Sequence, residues 1–158
     1  MLLVFCVLTS CADPVDEGAR NIERALEAQL PDGATADIDL GAESITVEDD
    51  DGIYATGRDL EAPAWIDAAM PLPADLVIET VLTVGDIESL RGTTEVASDD
   101  YLRDVEAALR EAGWTIDLRR DDAGASILQA TDTAGIPVDI ELGSGELAIV
   151  TGRIRSSS

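Results

Sequence analysis

The chain contains no lysine and no histidine; all ten of its basic residues are arginine. Without histidine, the Ser-His and Cys-His nucleophile pairs cannot be built, and without lysine neither can a Ser-Lys pair. Aromatic residues make up only 3% of the chain, which leaves few platforms on which a sugar ring could stack. There are two cysteines, Cys6 and Cys11. A lipoprotein signal at the start of the chain would remove the first and acylate the second, so no disulfide is expected and stability rests on the packed core. With no histidine and no free thiol, zinc and other soft-metal centres are excluded. No glycine-rich phosphate loop is present. No cofactor is expected.

Positive charge is scarce in the same way. Thirty-three acidic residues against ten basic ones give a formal charge of -23 over 158 residues. A nucleic-acid partner is excluded, because phosphate binding needs clustered cations. An electrostatic hold on anionic headgroups fails for the same reason. Hydrophobic residues reach 46% and charged residues 27%, the balance of a globular chain, with a core built from Val, Ile, Leu and Ala. This length supports one domain, or two small halves sharing a sheet system. Acid spread along the whole chain suits a saline medium, where salt screens self-repulsion. A halophilic or marine source is one explanation, and a genome-wide preference for Arg over Lys is the other.

What the chain does have is an apolar opening, "MLLVFCVLTSCADP". From Leu2 to Ser10 it has half of the roughly 20 residues that a membrane span requires. It fits a secretory apolar region of roughly 7–15 residues. Leu8-Thr9-Ser10-Cys11 has the form of a bacterial lipobox: aliphatic, small, small, cysteine. The expectation is a lipoprotein signal peptide over 1–10, with Cys11 as the lipidation site. Stable anchoring takes two or more acyl chains, which a lipidated cysteine supplies. The membrane is then a partner through Cys11 alone. The location is the bacterial cell envelope, extracytoplasmic, on the outer membrane or the outer face of the cytoplasmic membrane. No arginine precedes the apolar run, and a short buried strand is the alternative. Against it, Ala12-Asp13-Pro14-Val15-Asp16-Glu17 reads as a solvated tether.

The rest of the chain reads as α+β: two small helix-plus-antiparallel-meander halves joined by a proline-rich connector. After a tether over 11–16, residues 17–58 hold a helix and a three-stranded meander. Ile22, Leu26 and Leu30 recur at helical spacing. Ala36, Ile38, Ile45, Val47, Ile53 and Ala55 then alternate with polar residues at period two. Residues 59–75 carry three prolines and form the connector, with Trp65 as its packing anchor. Residues 76–155 read as two strands, a helix and a second meander. Ser98 is expected to cap that helix, with Asp99 and Asp100 at the positive end of its dipole. Residues 156–158 are a tail.

Few side chains suggest a site. The acidic run Glu48-Asp49-Asp50-Asp51 offers oxygens to calcium, so Glu48, Asp49 and Asp51 are weak metal candidates. The spacing fails the EF-hand pattern, because with Gly52 at loop position six the twelfth position is Arg58. A solvated hairpin turn is the simpler reading. Asp121-Asp122 is read as a turn and Arg119-Arg120 as a solvated strand end, with anion binding the alternative for the arginines. Trp65 and Trp114 are read as buried anchors, with a ligand surface the alternative. Paired carboxylates for glycoside hydrolysis remain available in principle.

The order of pieces is distinctive: the lipobox, a short helix, Ala36–Gly57, Trp65 followed by Pro71-Leu72-Pro73, and Tyr101–Trp114 ending in "AGW". It resembles a group of uncharacterised bacterial lipoproteins over most of residues 8–155. That resemblance implies location and shape, and no chemistry. No catalytic residue is identified, and the chain is not read as an enzyme. The functional expectation is a membrane-anchored envelope lipoprotein working as a protein-interaction or accessory module. A small-ligand or calcium-binding lipoprotein is the alternative, and a carboxylate-dependent hydrolase the weakest one.

The charge generates the first testable outcome. The melting temperature should rise between low and molar NaCl as carboxylate repulsion is screened. A flat or falling melting temperature in scanning calorimetry would leave genome bias as the explanation.

Overall fold

The computed structural model describes residues 14–152 apart from Pro31, Ala42 and Ala123, with side chains described from Arg20 onward. The expected signal peptide, Cys11 and the 156–158 tail lie outside the described residues. The first helix, α1, spans Pro14–Glu27. It therefore begins inside the stretch read as tether, and Pro14 opens it because a fixed φ near −65° suits a first turn. Three strands follow: β1 (Thr35–Asp39), β2 (Ser44–Asp49) and β3 (Gly52–Thr56). After the connector come β4 (Val77–Val84), β5 (Ile87–Thr93), the helix α2 (Ser98–Glu111), and β6 (Thr115–Asp122). The last strands are β7 (Ala125–Thr131), β8 (Pro137–Gly143) and β9 (Glu146–Gly152).

The strands do not form two meanders in two halves. They make one nine-stranded antiparallel sheet in the order β1-β2-β3-β4-β5-β9-β8-β7-β6. The α+β expectation is corrected to a β-rich fold with two fourteen-residue helices. Two pairings cause the difference. The outer edge of β3 meets β4 across the connector, with Tyr54 opposite Leu82. The final strand β9 then returns to lie between β5 and β8. Alternating hydrophobicity marks a strand but does not name its neighbour, so neither pairing is written in the local pattern.

Antiparallel partners opposite one another project to the same face. Following the register, Val81, Leu90, Ile149, Ile140 and Leu128 share one face. This is the covered face. α2 packs over β6, β7 and β8, and its Leu102, Val105 and Leu109 are fully buried against Leu128 and Ile140. The connector caps the core with Trp65, Ile66, Met70 and Leu72. One core therefore joins the connector, α2 and the sheet.

The cap of α2 differs from expectation. Ala97 is the N-cap, with no side-chain hydrogen bond to the free N–H groups, and Ser98 is already helical. Asp99 instead accepts a hydrogen bond from the Ser126 hydroxyl at 2.9 Å, which ties the helix start to β7. The residue pair Glu23 and Glu27, like charges one helical turn apart, also has a structural use. Their carboxylates accept the outward backbone N–H groups of Ile38 (3.1 Å) and Ala36 (3.4 Å) on the edge strand β1. Four helical residues rise about 6 Å and two strand residues about 6.6 Å, so the spacings match.

One core implies one unfolding transition. Ile149→Ala should lower stability by about 3 kcal/mol, because it opens a cavity at a fully buried position in a central strand. Denaturation followed by tryptophan fluorescence and by far-UV circular dichroism should give coincident curves in both proteins. Two separated transitions would show that the halves fold independently.

Candidate functional site

The second face of the sheet is the one that neither α2 nor the connector covers. Its side chains follow from the same register. One row runs Val47, Tyr54, Leu82, Ser89, Val150, Asp139. The hairpin ends of β4 and β5 add the opposed pair Val84 and Ile87. Tyr54, Val84, Ile87 and Val150 expose 43%, 46%, 42% and 38% of their surfaces. The result is an apolar band across β2, β3, β4, β5 and β9. Where the other face is uncovered, over β1–β3, it is mostly polar, with Thr35, Asp37, Thr46 and Glu48 beside Ile53.

The next row on this open face runs Thr80, Arg91, Ala148, Glu141, Ile127. Here a shallow cleft of about 380 Å³ lies beside the band. Glu79, Arg91, Glu141 and Glu146 supply its charge. Glu79 is the extra residue of a bulge between Ile78 and Thr80, which re-aims a side chain at the rim. Two small residues, Gly143 and Ala148, keep it open. A Cβ on Gly143 would lie 2.8 Å from the Ala125 Cβ, so the strands could not keep their approach. Arg91 makes no ion pair among the described residues. The cleft is thus open, polar and net acidic.

The residues singled out in the sequence are dispersed. Glu48 and Asp49 are successive strand residues, so they project to opposite faces. Asp49 Oδ1 accepts the backbone N–H groups of Asp51 (2.8 Å) and Gly52 (2.9 Å), which makes it a turn residue. No group of three or more metal-ligating side chains occurs among the described residues. Trp65 and Trp114 are half-buried against the core on the covered face. The solvated strand-end reading holds for Arg120, whose side chain is 61% exposed, and is corrected for Arg119. Both arginines sit in β6, and Asp121-Asp122 belong to the strand rather than to the turn after it. Arg119 forks onto both carboxylate oxygens of Asp121 (3.0 and 3.1 Å from Nε), and only 19% of its side chain is exposed. Its hydrogen bonds hold Asp121 below the usual carboxylate range.

Asp75 ends the connector and clamps the β5–α2 loop. It accepts from the Thr94 hydroxyl and the Glu95 N–H, each at 2.7 Å, and both bonds lower its pKa. Three buried donors lack a partner among the described residues: Trp65 Nε1, the Tyr101 hydroxyl and Arg119 Nη1.

The apolar band was missed from the sequence. Its mark is present, in strands where both parities are apolar: Val81 against Leu82 and Val84 in β4, Ile149 against Val150 in β9. No helix among the described residues is long and apolar enough to cross a membrane. No family model, curated protein or solved structure matches the chain.

Tyr101 offers a test of the buried donors. Burial pushes its hydroxyl well above the usual tyrosine range. An acid whose folded pKa is raised contributes full stability below its unfolded pKa, about 10, and loses it as pH rises beyond that. Tyr101→Phe should therefore flatten the alkaline limb of the stability profile. At pH 7 it should raise stability by about 1 kcal/mol, because an unpartnered buried hydroxyl is removed. Urea titrations across pH 7–11 measure both; a loss of stability at pH 7 would show that the hydroxyl has a partner.

Proposed function

We propose that this chain is the extracytoplasmic domain of a lipid-anchored envelope protein that works by protein contact, with the open sheet face as its contact surface. One observation carries the reading. A chain of charge -23 leaves Tyr54, Val84, Ile87 and Val150 exposed together on a single face. Exposed apolar patches rimmed by polar groups mark interaction sites. Leu8-Thr9-Ser10-Cys11 supplies the anchor in this reading, with Cys11 acylated and the domain held close to the membrane. No catalytic step belongs to it. A small-ligand role has the cleft of about 380 Å³ in its favour. Ligand sites enclose most of their ligand and are lined mainly by apolar groups, and this cleft is open and charged.

Two measurements test the proposal. Cys11→Ser should abolish lipid labelling and move the protein from the membrane to the soluble fraction. A photo-crosslinking residue at Val84 should yield adducts with another envelope protein in the producing cell, whereas one at Asp37, on the polar part of the opposite face, should not. Equal adducts at both positions, or none at either, would reject the contact face.

A further inference from the structure

We infer that the open face takes a cationic amphipathic protein segment, its apolar residues on the band and its Lys or Arg side chains over the adjacent acidic cleft. This rests on the contact reading above and names the partner's chemistry. Three observations carry it. The band spans five strands, which is four spacings of about 4.8 Å, or about 19 Å. A helix of about 13 residues covers that length. The surroundings of the band are acidic. The β2–β3 hairpin places Asp49, Asp50 and Asp51 at one end, and Asp139 and Glu141 lie beyond Val150 along the rows. The cleft next to it carries Glu79, Glu141 and Glu146 against Arg91 alone. Apolar centre and acidic margin together call for a partner with the opposite margin.

The same charges argue against a second copy. Two like faces pressed together about a two-fold axis would set each acidic rim against its twin, with -23 on each chain. They also argue against an anionic lipid surface as the occupant.

The probe is an 18-residue helical peptide of leucine and lysine, with leucine along one stripe and lysine on the remaining positions. Its control replaces every lysine by glutamate. Binding to the 14–152 region within the full chain is measured by titration calorimetry in 0.15 M NaCl. The lysine peptide should bind at one to one, and the glutamate peptide should not. Two double variants then separate the contributions. Tyr54→Ser with Val150→Ser should weaken binding about tenfold by removing apolar contact. Glu141→Gln with Glu146→Gln should weaken it by about fivefold and reduce its dependence on salt. All four positions lie on the uncovered face, and unchanged circular dichroism identifies folded variants.

Equal binding of the two peptides would overturn the charge argument while leaving the contact face in place. Undiminished binding by the Tyr54→Ser, Val150→Ser variant would overturn the inference, since only general attraction between opposite charges would remain. A dimer in sedimentation at 0.15 M NaCl, lost in that variant, would overturn it in favour of a second copy. Failure of the envelope crosslinking at Val84 with intact peptide binding would instead reject the biological contact and not the surface chemistry.

Discussion

The pairing of β9 with β5 on one side and β8 on the other holds the molecule together. β9 is the last strand among the described residues, yet it lies inside the sheet, between β5 and β8. Seven residue pairs, Ile87↔Gly152 through Thr93↔Glu146, join it to β5. Its Leu147 and Ile149 are almost wholly buried. If β9 did not return, β6–β8 would be tied to β1–β5 only through α2, and each part would keep an open edge. With it in place, β5 and β6 run parallel with three strands between them, and α2 is the crossover that joins them over the covered face. The position of α2, the burial of Leu102, Val105 and Leu109, and the site at which the connector docks all follow.

A sheet this wide has two faces and two edges to manage. One face is buried under α2 and the connector. The edge at β1 is sealed by carboxylates rather than by backbone, through Glu23 and Glu27. The edge at β6 carries Arg119, Arg120, Asp121 and Asp122 in paired charges. Charged edges resist the addition of a further strand. Both edges are thus closed to pairing, while the second face keeps an apolar band. That contrast directs attention to the face, and it sets the kind of partner proposed: one that lies across strands rather than one that extends the sheet.

The acidity acts differently at different places. Along the covered side it is local and structural. Asp99 ties α2 to Ser126, and Asp75 holds Thr94 and Glu95. Around the cleft it is collective, because Glu79, Glu141 and Glu146 surround one arginine with no ion pair among the described residues. The first kind satisfies backbone and hydroxyl donors inside the chain. The second kind leaves charge on the surface next to apolar groups, where a partner can use it.

The sequence by itself determined the elements. Period-two runs located the strands within a few residues, and Ala125–Thr131 coincides with β7. Gly113 and the Asp99-Asp100 pair bracket α2. These are local matters of periodicity, turn chemistry and helix dipoles, and a short window of residues contains them. The absence of lysine and histidine likewise decided which chemistries are out of reach. Tertiary structure decided which strands are neighbours, and through that which face each side chain occupies. Tyr54, Val84 and Val150 look like ordinary strand residues in the sequence. They become a surface only because β3, β4, β5 and β9 are brought side by side in one register. Glu23 and Glu27 look like a repulsive pair until β1 presents two N–H groups at the matching spacing. Pairing between segments far apart in the chain depends on the combined burial of all of them, which no single segment encodes.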